Sequence, residues 1–315
     1  MTSLSRRAAL WALTGAAAGA FTARWARAAE SALTFLAVGD WGRDGAFHQA
    51  EVAQQMGVTA DAIGARFVLA VGDNFYEDGV TGVDDPKWKT SFEDIYTAPS
   101  LQVPWQAALG NHDYHGDTQA QLDYSKKSRR WRLPGRHYRW SERAPDGASA
   151  DFFVLDTSPF VSSYWADGGA KVKVAGQDPK AQLAWFDDAL GSSTADWKIV
   201  IGHHPIWSGR DDDDAAPDLR AKVDPILGRH GADLYINGHD HLLGHWESAG
   251  RHYVCCGGGS KMDDACDVGH GDFCSLRSGF TAFRLSRRGI EAIYRDYTGA
   301  ELHLARIERP HAKAA

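Results

Sequence analysis

The side chains that stand out for their chemistry and placement in this 315-residue chain are Asp40, Asp73, Tyr76, Asn111, His112, His203, His239 and His241. Carboxylates, imidazoles, an amide and a phenol are the oxygen and nitrogen donors that suit iron, zinc or manganese. Taken singly, each has an ordinary explanation. An aspartate after a strand is usually a turn former or helix cap, and a lone histidine usually belongs to the surface or the core. Here the donors come in five clusters, each with a glycine beside the donor: Gly39-Asp40, Gly72-Asp73, Gly110-Asn111, Gly202-His203 and Gly238-His239. Glycine lets backbone approach closely or take positive φ, which a crowded metal site needs. Two neighbouring ions need one shared ligand and otherwise separate sets. Asp73 suits the bridge, since each of its two oxygens can hold one ion. Asn111 supplies a neutral oxygen, which limits negative charge near an anionic substrate. His239 and His241 would face opposite ways in extended chain, so a turn there hands one to each ion.

Each cluster ends a short apolar run. Residues 33–38, 67–71, 105–109, 152–155, 199–201 and 234–236 are rich in Val, Ile, Leu and Phe. They read as strands buried on both faces. Helical patterns lie at 46–65, 86–96, 180–190 and 218–230. Strand alternating with helix predicts an α/β architecture, and in open α/β sheets ligands bind at the carboxyl ends of strands. Residues 252–256, 280–285 and 290–297 read as consecutive strands forming an antiparallel edge. The four acids at 211–214 read as a solvated loop.

Composition excludes little else. With 43% hydrophobic and 24% charged residues the chain is globular, and a formal net charge of -7 argues against a nucleic-acid partner. Arg6 and Arg7 precede an apolar stretch over 8–23 and Ala26-Arg27-Ala28. This predicts a signal peptide of the twin-arginine type over 1–29, with the mature domain at 30–315. The apolar stretch is shorter than the ~20 residues a spanning helix needs, so no stable membrane insertion is expected after cleavage. The expected location is the periplasm or beyond it. In that oxidising setting Cys255, Cys256, Cys266 and Cys274 predict one or two loop-stapling disulfides, with three pairings open. Their spacing fits no usual zinc pattern. Cys255 and Cys256, adjacent in a strand, should face opposite ways.

Gly39-Asp40-Trp41-Gly42, Gly72-Asp73-Asn74-Phe75-Tyr76, Gly110-Asn111-His112-Asp113, Gly202-His203-His204-Pro205 and Gly238-His239-Asp240-His241 resemble the ordered blocks of the calcineurin-like metallophosphoesterases. Asp73-Asn74-Phe75-Tyr76, residues 122–131, Trp207-Ser208 and residues 253–262 more narrowly resemble the purple acid phosphatases of the small, single-domain, tartrate-resistant type. The resemblance runs from about residue 33 to about 307. It implies a four-layer α/β/β/α sandwich of two mixed sheets flanked by helices. It implies Fe(III) held by Asp40, Asp73, Tyr76 and His241, with the Tyr76 phenolate giving the purple colour. It implies a second ion, Fe(II), Zn(II) or Mn(II), held by Asp73, Asn111, His203 and His239. His112 matches the histidine that faces substrate without binding metal. Substrate contacts are expected from Asn111, His204, His115 and Arg210. His204 stands where animal members carry tyrosine and reads as a wall residue. The histidine that animal members carry beyond the His203 block is absent, replaced by 209–214.

The implied activity is a secreted acid phosphatase that hydrolyses phosphate monoesters by attack of metal-bound hydroxide, with His112 protonating the leaving group. Alternatives are a phosphodiesterase or nucleotide pyrophosphatase on the same centre, and an iron-binding redox protein with little hydrolysis. The expected partner is a small phosphorylated substrate, and the expected state a monomer.

Overall fold

The computed structural model describes residues 31–170, 172–210, 213–267, 269 and 271–308. The predicted signal peptide lies outside them. The apolar runs form strands because their residues are buried on both faces, as in β1 (Leu33–Val38) and β2 (Val68–Val71), every residue of which is buried. β3 (Trp105–Ala108) and β4 (Trp131–Arg132) extend the same sheet in parallel, with Leu36 opposite Val68 and Val68 opposite Trp105.

A second sheet takes β5 (Tyr138–Arg143), β6 (Ser149–Val154), β7 (Trp197–Ile201), β8 (Leu234–Asn237), β9 (Leu243–Ser248), β10 (Arg251–Cys256) and β11 (Phe273–Ser275). Within it β6, β7, β8 and β10 run parallel. The chain then returns to the first sheet as β12 (Gly279–Ser286), β13 (Gly289–Asp296) and β14 (Glu301–Glu308). The orders are β14-β13-β12-β1-β2-β3-β4 and β11-β9-β10-β8-β7-β6-β5, seven strands each.

The inner faces pack on one another. Phe35 stacks on Phe67 and Phe283 in its own sheet and meets Phe152 of the other edge-on at 5.5 Å. Helix α1 (Gln49–Ile63) covers the outer face of the first sheet with Val52 and Met56, beside an aromatic cluster of Trp41, Phe75, Trp88, Trp105 and Trp131. Two helices follow β3, α2 (Asn111–His115) and α3 (Thr118–Lys127). The second sheet is covered by α4 (Pro179–Gly191), α5 (Ala216–Lys222) and α6 (Asp224–His230), through Phe186, Leu190, Leu219 and Leu227. The result is the expected α/β/β/α sandwich.

Three sequence readings are corrected. Strand β10 does not join β12 and β13 in an antiparallel edge; it lies inside the second sheet, parallel to β8, while β12, β13 and β14 close the first. Local pattern says strand, but only tertiary packing says which sheet. The 218–230 pattern is two helices parted at Val223, because Pro225 has no N–H to continue the α5 ladder and sits instead in the first turn of α6. The 86–96 pattern yields only one wide helical turn at Trp88–Glu93. Among the described residues one disulfide forms, Cys266–Cys274, while Cys255 and Cys256 stay free and buried. These two do face opposite ways, Cys256 between the sheets and Cys255 under the helices.

Candidate metal centre

The carboxyl ends of β1, β2, β3, β7 and β8 meet where the two sheets come together. Backbone bonds tie the turns to one another: Gly39 N–H to the Cys256 carbonyl at 2.8 Å, Asp40 N–H to Gly72 at 3.1 Å, Gly238 N–H to His203 at 3.0 Å. Asp40, Asp73 and His239 take left-handed backbone, with φ of 60, 46 and 71°. Such residues are costly for L side chains and cluster at functional sites. Two of the glycines are there for close approach. A Cβ on Gly110 would lie 2.2 Å from Asp73 Oδ1, and one on Gly238 would lie 2.4 Å from Asp40 Oδ2.

The donor atoms form two groups that share one oxygen. Tyr76 Oη lies 2.8 Å from Asp40 Oδ1, 3.0 Å from Asp73 Oδ2 and 3.0 Å from His241 Nε2. Asp73 Oδ2 is also 3.3 Å from His203 Nε2. Asn111 Oδ1 is 3.2 Å from His203 Nε2 and 3.1 Å from His239 Nδ1. The other Asp73 oxygen, Oδ1, accepts the His112 N–H at 2.8 Å. A single Asp73 oxygen therefore faces both groups, where the sequence suggested one oxygen for each.

This arrangement fits a pair of ions. One phenol proton cannot serve three acceptors, and Asp40 and Asp73 are 0% and 2% exposed. Neighbouring donors on an ion with bonds of about 2.1 Å sit about 3 Å apart, the spacing seen here. Among the side chains alone, charge is balanced by protons. Burial, then the Asp40 and Asp73 charges, push the Tyr76 phenol far up. Burial would raise Asp73, but the His203 charge and hydrogen bond prevail and hold it well below the usual range. Burial opposes a charge on His203, yet Asp73 lifts it to about 9. Burial and then His203 push His239 down to about 3. Burial opposes a charge on His241, and Asp40 overcomes it. A cation in the cluster would take the place of these protons.

Outer partners orient the donors. The Val71 carbonyl, 3.0 Å from His203 Nδ1, can only accept, so Nδ1 carries the hydrogen and Nε2 is turned to the cluster. Buried Asp113 accepts from Asn74 N (3.0 Å), Gly110 N (2.9 Å) and Gln121 Nε2 (2.8 Å), locking the β2 and β3 turns together. The Asp263 carboxylate accepts the His241 N–H at 2.9 Å.

The remaining predicted residues lie around this cluster. His112 is half-buried beside Tyr76, ring centroids 4.6 Å apart, with Nδ1 bonded to the Glu77 carbonyl. His115 sits 3.5 Å from Asp78, its ring 5.2 Å from that of His112. Arg210 pairs with Asp263 at 3.7 Å. His204 is fully buried behind the centre, with Nδ1 2.8 Å from Thr157 Oγ1, Nε2 3.0 Å from Tyr164 Oη and its ring 4.5 Å from that of His239. In the acidic run, Asp213 is not simply solvated. Its Oδ1 caps α5 through the Ala215 and Ala216 N–H groups, and its side chain is 1% exposed, 3.7 Å from His239.

Sequence reasoning missed Arg43, Asp113, Thr157, Tyr164 and Asp263. Asp113 stood inside a quoted block, and Arg43 and Asp263 each directly after one; nothing in the sequence marked Thr157 or Tyr164.

The calcineurin-like phosphoesterase model matches residues 33–243. Purple acid phosphatase 3 of Arabidopsis thaliana is 37% identical over 287 residues, covering 87% of this chain and 77% of the relative. Tartrate-resistant acid phosphatase type 5 of Homo sapiens is 33% identical over 306 residues, 89% of this chain and 92% of the relative. Among solved structures, GAP50, the anchor in the inner membrane complex of Plasmodium, superposes with a TM-score of 0.76 at 27% identity over 90% of each chain. Fold and cluster together are those of a calcineurin-like metallophosphoesterase. Within that class the chain belongs to the purple acid phosphatases, which are hydrolases. The family implies a binuclear metal centre, and the donor set fits one. Among the described residues no helix is long and apolar enough to cross a membrane.

Proposed function

We propose that the chain is an exported acid phosphomonoesterase. The observation that carries this reading is Asp73 Oδ2, which stands within 3.3 Å of donors from both groups. In this reading Asp40, Asp73, Tyr76 and His241 hold Fe(III), and Asp73, Asn111, His203 and His239 hold Fe(II), Zn(II) or Mn(II). When bound, the ion pair supplies Lewis acidity that makes water nucleophilic near neutral pH and offsets charge on phosphate.

The chain's own residues do the rest. The neutral Asn111 amide keeps the second group from adding another negative charge where a phosphate dianion must approach. The Asp113 bonds and the His203–Val71 bond fix donor positions before substrate arrives, so little reorganisation is needed. His112 has Nδ1 engaged by the Glu77 carbonyl, which leaves Nε2 as its working nitrogen. In its imidazolium form that nitrogen donates to a phosphoryl oxygen and passes its proton to the departing alkoxide. Residues 1–29 direct export through the twin-arginine route.

The test is metal analysis of the mature protein together with parallel assays of a monoester and a diester. The reading expects two ions per chain and faster monoester turnover. Preferred diester turnover would move the activity to the diesterase alternative. Bound iron without hydrolysis would move it to the redox alternative.

A further inference from the structure

Beyond Asp40, the loop joining β1 to α1 holds three further non-glycine residues in left-handed backbone: Asp44 (φ 53°), Phe47 (52°) and His48 (67°). Aspartate tolerates that region, but a bulky aromatic there is an outlier. Such conformations persist only where surrounding structure over-determines them. It does so here. Buried Gln49 accepts from Arg43 N at 3.0 Å and Gly45 N at 2.8 Å, and donates to the Ser91 carbonyl at 2.8 Å. The Asp44 N–H donates to Ser91 Oγ at 3.1 Å, and its carboxylate accepts from Ser91 and Thr90. The His48 ring stacks on Tyr297 at 4.1 Å.

What this pinned loop presents is the Phe47 ring. It is 56% exposed, the one aromatic among the exposed large hydrophobic side chains of the described residues. A scattered exposed apolar side chain normally needs no explanation. Phe47 differs because its backbone is strained and held, and because of its neighbour. The Arg43 guanidinium carbon lies 5.7 Å from the Phe47 ring centroid and 3.6 Å from that of Tyr76. Arg43 is bonded to Glu77, whose carbonyl holds His112. Phe47, Arg43, Tyr76 and His112 thus form a continuous wall running out from the metal cluster. Its outer end is a held, flat, apolar face, backed by the buried Arg43 guanidinium, whose charge is met by Glu77. Such a face recognises planar aromatic groups through stacking.

We propose that Phe47 is a specificity-determining residue, the platform on which a nucleotide substrate stacks its base while its phosphate enters the cluster. The proposal rests on the phosphatase reading above. It distinguishes esters by what lies beyond the sugar, which none of the cluster residues can do.

Adenosine 5′-monophosphate and ribose 5-phosphate carry the same primary ester and differ only by the base. With metal-loaded protein, the kcat/KM ratio of the first to the second should exceed one. In Phe47→Ala that ratio should fall about five-fold or more, through KM rather than kcat, since base–aromatic stacking is of that size. Phe47→Trp should restore it, which a merely structural role would not predict. An unchanged ratio in Phe47→Ala overturns the platform while leaving the phosphatase reading intact. Failure of the unaltered protein to hydrolyse either ester overturns the phosphatase reading and the platform with it.

Discussion

Replacing Gly110 with alanine tests the cluster without touching a donor. Gly110 has φ -114° and ψ 177°, extended backbone that any residue adopts, so the effect is steric alone. The added Cβ would stand 2.2 Å from Asp73 Oδ1, 2.4 Å from Asp73 N and 2.8 Å from Asp73 Cγ, where ordinary contact begins at 3.4 Å. The Asp73 carboxyl or the β3 turn must therefore yield by roughly 1 Å, at an overpacking cost of about 1–3 kcal/mol. Asp73 has little room to yield, since its Oδ1 already accepts the His112 N–H and its own N–H lies in the clash. Metal–ligand distances tolerate only about 0.2 Å, and a misplacement of ~1 Å can cost ~10²-fold in rate. Gly110→Ala should hold fewer than two ions per chain and lose about 10²-fold or more in kcat/KM. Gly82→Ala is the control, because its Cβ would meet nothing within 4 Å. The assays are metal stoichiometry by mass spectrometry and monoester turnover. A Gly110→Ala protein with two ions and near-normal turnover would refute the argument that Asp73 is held at the point of contact between two groups.

Other predictions follow the same geometry. Tyr76→Phe should abolish any visible charge-transfer band while the far-ultraviolet spectrum is kept; an unchanged visible spectrum would remove the phenol from the iron. His112→Ala should retain both ions yet lose ~10²–10⁴-fold in kcat, and loss of metal would show that it is a ligand. Away from the centre, His245 Nε2 lies 3.0 Å from His252 Nδ1 between the sheets, and burial, then the His252 charge, hold His245 down to about 4. Its folded-state value is below the unfolded 6.5, so the unfolded chain takes up the proton first. Stability is therefore full above pH 6.5 and falls as pH drops toward 4, by up to about 3 kcal/mol from this residue. The Tm of His245→Gln should fall less than that of the unaltered chain across that window, and an equal fall would contradict the assignment.

The site was legible in the sequence because its donors sit at fixed distances from strand ends. Asp40, Asp73, His203 and His239 each stand two residues beyond the end of a buried strand, a relation that survives without knowing which strands are neighbours. The sheet assignment of β10 was not legible, because the chain passes to the first sheet only at residues 276–278, between β11 and β12, and no periodicity records the crossing. Helix α3 was missed since its outward face is polar and its start rests on the Asp117 cap rather than on an apolar stripe. Arg43 and Asp113 act through tertiary contacts, with Tyr76 and Asn74, that no local pattern encodes. His245, His252 and His303 come from three strands and meet only when the sandwich closes.

The central claim is that one buried aspartate oxygen joins two metal-binding groups. Metal content of Asp73→Ala, measured beside the unaltered protein, tests it most directly. The unaltered protein should hold two ions per chain, and the variant should lose both. A variant that keeps one ion at full occupancy, or both, would contradict it.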